Sequence, residues 1–191
     1  MIYDLQQTDD PRDIVHRSVQ ALVEGHVIGL PSETVYGVVA NALCVEAVEK
    51  LAAMVNSAGA TSPGGPINHG ETGIPGRIAL CVRSTDAVGD FLSPKTRLAS
   101  RLSERCFPGP LTLISDSQSQ ESAVGRLPEP VQRILQDANQ TGDPKDPSRQ
   151  NIAFRVSKHR LLSHIHRYLA APLVWGEFSG EFSGEFSGEF S

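Results

Sequence analysis

Short apolar runs alternate with stretches of helical periodicity along most of this chain, and that alternation narrows the fold more than any other feature. In residues 10–24, Asp10 is placed to cap a helix and Pro11 sits where its missing amide proton costs nothing. Ile14, Val15, Ser18, Val19, Leu22 and Val23 then form one stripe before Gly25. Residues 26–30 read as a strand ended by Pro31, 32–37 as a loop at its carboxyl end, and 45–55 as a helix with Val45, Val48, Leu51, Ala52 and Val55 on one side. Further strands are predicted at 78–82, 111–114 and 151–156, and an apolar run follows Pro172. Further helices are predicted at 95–106, with Leu98, Leu102 and Cys106 on one side, at 130–138 and at 159–170. This order predicts an α/β domain of two or three layers on a mixed sheet.

Two segments break the rhythm. Residues 56–77 are dense in Gly and Pro, which predicts a mobile loop or lid. From Gly176 the unit Gly-Glu-Phe-Ser runs four times to the end. Each Gly costs a helix roughly 1 kcal/mol relative to Ala, and one Phe in four residues cannot build a core. As a strand the repeat would carry Phe and Gly on one face and Glu and Ser on the other. The expected organisation is one domain over residues 1–176 and a flexible repeat tail over 177–191, able to meet another protein by strand addition or aromatic docking.

Composition matters mainly through that tail. The 191 residues carry 22 acidic and 17 basic side chains, but four of the acids and four of the seven Phe lie in 177–191, so the remainder is near neutral. That balance argues against extensive nonspecific nucleic-acid binding. No apolar run reaches 18 residues, and the opening MIYDLQQTDDPRD places acid where an export signal needs base, so no membrane association and a cytoplasmic location are expected. Cys44, Cys81 and Cys106 match neither a disulfide framework nor a metal knuckle and read as buried free thiols.

The chemically richest segment is Leu30-Pro31-Ser32-Glu33-Thr34-Val35-Tyr36-Gly37, with two hydroxyls, a carboxylate and a phenol after a strand and ahead of a glycine suited to a tight turn. Its other reading is that Ser32 or Thr34 caps the next turn and Tyr36 packs. Arg155 stands on an apolar strand with Ile152 and Phe154 on the opposite face. If buried it needs an anionic partner, for which carboxylate or phosphate suits its fork of donors; if exposed it is an ordinary ion pair. Lys158, His159 and Arg160 follow, an end able to attract polyphosphate or RNA backbone, and Arg155, Lys158, Arg160 and Arg167 are the candidates for RNA contact. His164 and His166 fall on different helical faces, so no metal site is expected there. His69 is placed either for substrate contact or as a surface histidine. Neither a P-loop nor a Gly-x-Ser-x-Gly elbow occurs.

Residues 30–37, then Cys106-Phe107-Pro108-Gly109-Pro110-Leu111-Thr112-Leu113, Ile152-Ala153-Phe154-Arg155 and Ala171-Pro172-Leu173-Val174 follow the order of motifs in the YrdC/Sua5 family, which this chain resembles over about residues 10–175. The resemblance implies a YrdC/RibB-like twisted mixed sheet flanked by helices, in a single α/β domain with a positively lined cavity. It implies a nucleotidyltransferase activity: L-threonylcarbamoyladenylate synthesis from threonine, bicarbonate and ATP with Mg²⁺, releasing pyrophosphate, for modification of adenosine 37 in tRNA. Some members bind double-stranded RNA. Residue by residue it implies that Pro31, Ser32, Glu33, Thr34, Tyr36 and Gly37 shape the threonine and nucleotide site, that Arg155 lines the same cavity, and that His69 stands near a family histidine, offset by one residue. No protein nucleophile is implied; positioning and charge stabilisation would carry the catalysis.

The chain departs from the family pattern twice. Where family members carry Lys-x-Arg, this chain has Val55 and Ser57; where they carry Ser-Ala-Asn-x-Ser-Gly, it has Trp175 to Gly180 with Glu and Phe replacing the polar pair. The expectation is therefore a threonylcarbamoyladenylate synthase-like protein of doubtful catalytic competence. The alternative is a noncatalytic nucleotide- or double-stranded-RNA-binding module of the same fold.

Overall fold

Helix α1 (Pro11–Val23) stops at Gly25, whose φ of 82° no β-carbon tolerates easily; there a Cβ would also lie 2.8 Å from Cys44 Sγ. The computed structural model describes residues 11–59, 77–92, 96–116, 122–139 and 151–177. Strands β1 (Ile28–Pro31) and β2 (Tyr36–Asn41) form an antiparallel hairpin in which Pro31 pairs with Tyr36. Then follow α2 (Val45–Gly59), β3 (Ile78–Cys81), α3 (Thr85–Phe91), α4 (Arg97–Cys106), β4 (Leu113–Asp116), α5 (Glu129–Asp137), β5 (Asn151–Arg155), α6 (Arg160–Tyr168) and β6 (Leu173–Glu177). The sheet order is β1-β2-β6-β3-β5-β4; β3 and β5 run parallel and every other neighbouring pair is antiparallel.

Both sheet faces are covered, which makes a three-layer, single α/β domain on a twisted mixed sheet. Alternation along each strand sorts the core. Val38, Leu80, Phe154 and Val174 face Leu51, Val55 and Leu135 from α2 and α5, whereas Val39, Leu173 and Trp175 face Val15, Leu22, Leu162 and Ile165 from α1 and α6. Each fully buried aliphatic side chain contributes about 1.5–3 kcal/mol.

Several expectations are corrected. Strand β2 lies where a simple loop-to-helix connection was expected, because Gly37-Val38-Val39-Ala40 is buried on both faces and shows no alternation. Helix α3 was unforeseen; Ser84 caps it by accepting from the Ala87 amide at 3.3 Å. In α4 the buried side is Ala99 and Ser103, while Leu98 and Leu102 point outward, 69% and 37% exposed. Of the thiols only Cys81 is fully buried; Cys44 and Cys106 are half-buried. The helix from Val45 continues through Gly59, and Glu177, assigned to the tail, is the last residue of β6 and pairs with Gly37. The rest of the lid reading (60–76, with His69) and residues 178–191 lie outside the described residues.

Candidate functional site

The motif Pro31–Gly37 is the turn of the β1–β2 hairpin. Ser32 organises it: its hydroxyl donates to the Val35 carbonyl at 2.7 Å, lies 3.5 Å from Thr34 Oγ1, and accepts from the amides of Thr34 and Val35 at 3.3 Å. The capping role considered for Ser32 therefore becomes a turn role. Tyr36 is 63% exposed and Thr34 is exposed. Glu33 alone reaches inward from this turn. Its Oε1 accepts from Ser157 Oγ at 2.9 Å, from the Lys158 amide and from the His159 amide at 3.2 Å, and its Oε2 lies 3.4 Å from Arg155 Nη2. The arginine and the carboxylate are 8% and 15% exposed, so Arg155 is the buried case foreseen and Glu33 is its anion.

These contacts set the protonation of the carboxyl. Burial works to raise its pKa, but hydrogen bonds from its own backbone, the Lys158 amide and the Ser157 hydroxyl, with the Arg155 charge, prevail and hold it below the ordinary carboxylate value. Glu33 is thus an ionised clamp between the hairpin and the β5–α6 loop. The Cys106–Leu113 motif joins the same place: the Gly109 amide donates to the Val156 carbonyl at 3.0 Å, and a Cβ on Gly109 would sit 2.6 Å from the Cys106 carbonyl oxygen.

Trp175, which sequence reasoning noted only as a departure, is central. Its indole is 1% exposed, lies under the Arg155 guanidinium at 4.5 Å from ring centroid to Cζ, and presses on Gly37, where a Cβ would come within 2.1 Å of Cζ2. Gly37 is needed for this close approach; the tight turning expected of it is done by Ser32 to Val35. Arg155 Nε and Trp175 Nε1 are buried donors with no hydrogen-bond partner among the described residues, and His159 Nδ1 is likewise buried without one. Buried donors in this state favour an acceptor such as a carboxylate or phosphate oxygen, or water. Cys81, alongside Arg155 in the β3–β5 register, is fully buried, and burial pushes its thiol up to about 11, against the opposing pull of Arg155, which disfavours the thiolate.

The remaining predicted side chains lie apart from this site. Lys158, Arg160 and Arg167 are exposed. Arg155 is withdrawn from any RNA-facing surface by its burial. Val55 is 1% exposed and meets Gly176 so closely that a Cβ there would lie 2.4 Å from Val55 Cγ2, while the Ser57 hydroxyl donates to the Met54 carbonyl at 2.9 Å. Among the described residues no group of three His, Cys, Asp or Glu could hold a metal ion, and no helix is long and apolar enough to cross a membrane. Glu33 Oε1 is occupied by three donors and Oε2 faces Arg155, so among the described residues Glu33 gathers no ligand set for Mg²⁺.

A mixed six-stranded sheet covered on both faces, with three motif segments converging on one buried arginine, defines a YrdC/RibB-like α/β protein. The family profile described as telomere recombination, Sua5/YciO/YrdC, matches residues 76–187, and the chain belongs to that family. No curated protein matches it. Among solved structures, a double variant of P. abyssi Sua5 superposes with a TM-score of 0.61 at 20% identity, over 92% of this chain and 40% of that one. E. coli YciO superposes with a TM-score of 0.61 at 17% identity, over 88% and 65%. P. abyssi Sua5 complexed with L-threonine gives a TM-score of 0.56 at 20% identity, over 84% and 37%. The chain thus spans less than two thirds of each of these relatives.

Proposed function

We propose that this chain is a threonylcarbamoyladenylate synthase-like protein that binds threonine and an adenine nucleotide beside Arg155 but converts them with bicarbonate to threonylcarbamoyl-AMP and pyrophosphate only poorly. The observation that carries the reading is Arg155 itself: buried, fixed by Glu33, and keeping a free Nε donor next to that of Trp175. A free guanidinium donor suits a carboxylate or phosphate oxygen. The L-threonine complex of the related P. abyssi protein supports threonine as a ligand class.

What supports poor turnover is the charge inventory. Transfer to ATP builds negative charge on the phosphates, and preorganised cations must meet it. Val55 is a core residue, Ser57 bonds its own helix, and one of the Arg155 nitrogens is held by Glu33. ATP would have to bring its own Mg²⁺. The test combines binding and turnover. Calorimetric titration should detect threonine and ATP, and Arg155→Met should weaken threonine, and ATP at this site, at least tenfold; threonine binding indifferent to Arg155→Met overturns the site. Incubation with threonine, bicarbonate, ATP and Mg²⁺ should give pyrophosphate at background level, and sustained threonylcarbamoyl-AMP formation overturns the claim of poor turnover.

A further inference from the structure

Helices α1 and α6 pack side by side, and between them lies a groove of about 170 Å³ lined by Arg12, Val15, His164, Arg167 and Tyr168. It is separate from the Arg155 site: Arg155 precedes α6, whereas Arg167 and Tyr168 end it, roughly 12 Å further along the helix at 1.5 Å per residue. The lining has two guanidinium groups, an imidazole and a phenol, and no carboxylate among the described residues. Tyr168 is 62% exposed, and its ring is held edge-on by His16 with centroids 5.3 Å apart and planes at 74°. One side of the ring is thus braced by α1 while much of it remains open to a ligand.

Helical spacing extends the charge. Arg160, His164 and Arg167 stand at positions i, i+4 and i+7 of α6 and share one side, so a second α6 guanidinium, that of Arg160, follows on the side that lines the groove. An exposed aromatic ring beside a guanidinium is the pairing that recognises a base and its phosphate together. A simple carboxylate would use the arginine and leave the ring idle.

We propose that the α1–α6 groove binds a nucleotide, with its phosphate on Arg167 and its base against the exposed ring of Tyr168. The ligand is either a free mononucleotide or a residue of a single RNA strand; the recognition chemistry is the same, and Arg160 is what would separate them. This site stands independently of the reading given to Arg155.

The experiment is calorimetric titration of the full chain with AMP, inorganic phosphate and a five-nucleotide single-stranded RNA, at low and at physiological salt. AMP should bind at least fivefold tighter than phosphate, because only AMP engages the ring. Tyr168→Ala should abolish that difference and Tyr168→Phe should preserve it, while Arg167→Gln should weaken all three ligands at least fivefold. Arg155→Met, run in parallel, should leave this binding event intact, which separates it from the other site. An RNA bound more than tenfold tighter than AMP, with the gain lost in Arg160→Gln, assigns the groove to RNA; equal affinity assigns it to the free nucleotide. Arg167 and Tyr168 are exposed, and unfolding midpoints unchanged in their variants confirm that folding is intact. AMP and RNA binding unaffected by both Arg167→Gln and Tyr168→Ala, or no saturable binding at millimolar ligand, overturns the proposal.

Discussion

The two faces of β6 solve the same packing problem in opposite ways. Gly176 turns toward α2, where Val55 and Leu51 descend onto the bare backbone and the contact is wholly apolar. Trp175 turns the other way, fills the space over Gly37 and carries a buried guanidinium on its ring. One face gains stability from shape; the other keeps a charged pair and unpaired donors in its interior. The latter arrangement is a weak source of stability, because desolvating Arg155 and Glu33 offsets most of their attraction. What the pair does achieve is to hold the hairpin, the β5–α6 loop and a buried arginine in fixed relation.

The comparison breaks hardest if a charge is forced onto the apolar face. Val55→Lys, the substitution that would restore the cation of the family pattern, places an ammonium group against Leu51 and Gly176 with no partner. It should cost about 3–5 kcal/mol, measured by urea unfolding. Ser57→Arg, on an exposed position of the same helix, should stay within about 0.5 kcal/mol of wild type. A tolerated Val55→Lys would show that this end of α2 opens.

Removing one partner of the buried pair tests the other face. Arg155→Met strands the Glu33 carboxylate and should cost about 3 kcal/mol; Glu33→Gln should cost less, because the amide can still accept from Ser157 and the two loop amides. The double variant should cost less than the two singles added together, the signature of a direct interaction. Glu33 has a lowered folded pKa, so its stabilisation is full above the ordinary value of 4.5 and is lost as pH falls through the lower folded value. Glu33→Gln should flatten that acid limb.

His166 sharpens the contrast from within α6. Burial, then the Arg83 charge, lowers it from 6.5 to about 4, and its Nε2 has no partner among the described residues. The unfolded chain therefore takes up a proton that the folded chain refuses, and stability falls as pH drops from 6.5 toward 4. Between pH 7 and pH 5 the loss should be about 2 kcal/mol, read by urea unfolding at each pH, and His166→Phe should remove that slope.

How much of this was legible depended on which signal each part left in the sequence. Helices α1 and α2 announced themselves through apolar stripes, α1 also through its cap, and Arg155 through a charge set among apolar neighbours. Strand β2 did not, because Gly37 to Ala40 is buried on both faces and a continuous apolar run carries no period. The α4 stripe was misassigned because Leu98 and Leu102 outweigh Ala99 in any reading by residue type, yet Ala99 is the side chain small enough to sit against the core. In the site, Ser32, Glu33 and Gly37 were picked out with the roles of turn, clamp and floor undetermined. Their assignment needed Ser157, the Lys158 and His159 amides and Trp175, which lie more than 120 residues away. A lone Trp at the second departure from the family pattern was the available signal for Trp175.

The Gly37 contact gives the finest test, since it asks whether shape alone sets this face. Gly37→Ala puts a methyl group where Trp175 Cζ2 already lies, and the extended backbone of β2 accepts alanine without strain, so any cost arises from the indole. Rigid overpacking of this kind costs about 1–3 kcal/mol, and about 2 kcal/mol is expected by urea unfolding. Trp175→Leu should recover part of that loss in the double variant, although the single Trp175→Leu change is itself destabilising. If Gly37→Ala costs nothing, the indole moves aside at little expense, and the Arg155 guanidinium that rests on it is held by Glu33 alone.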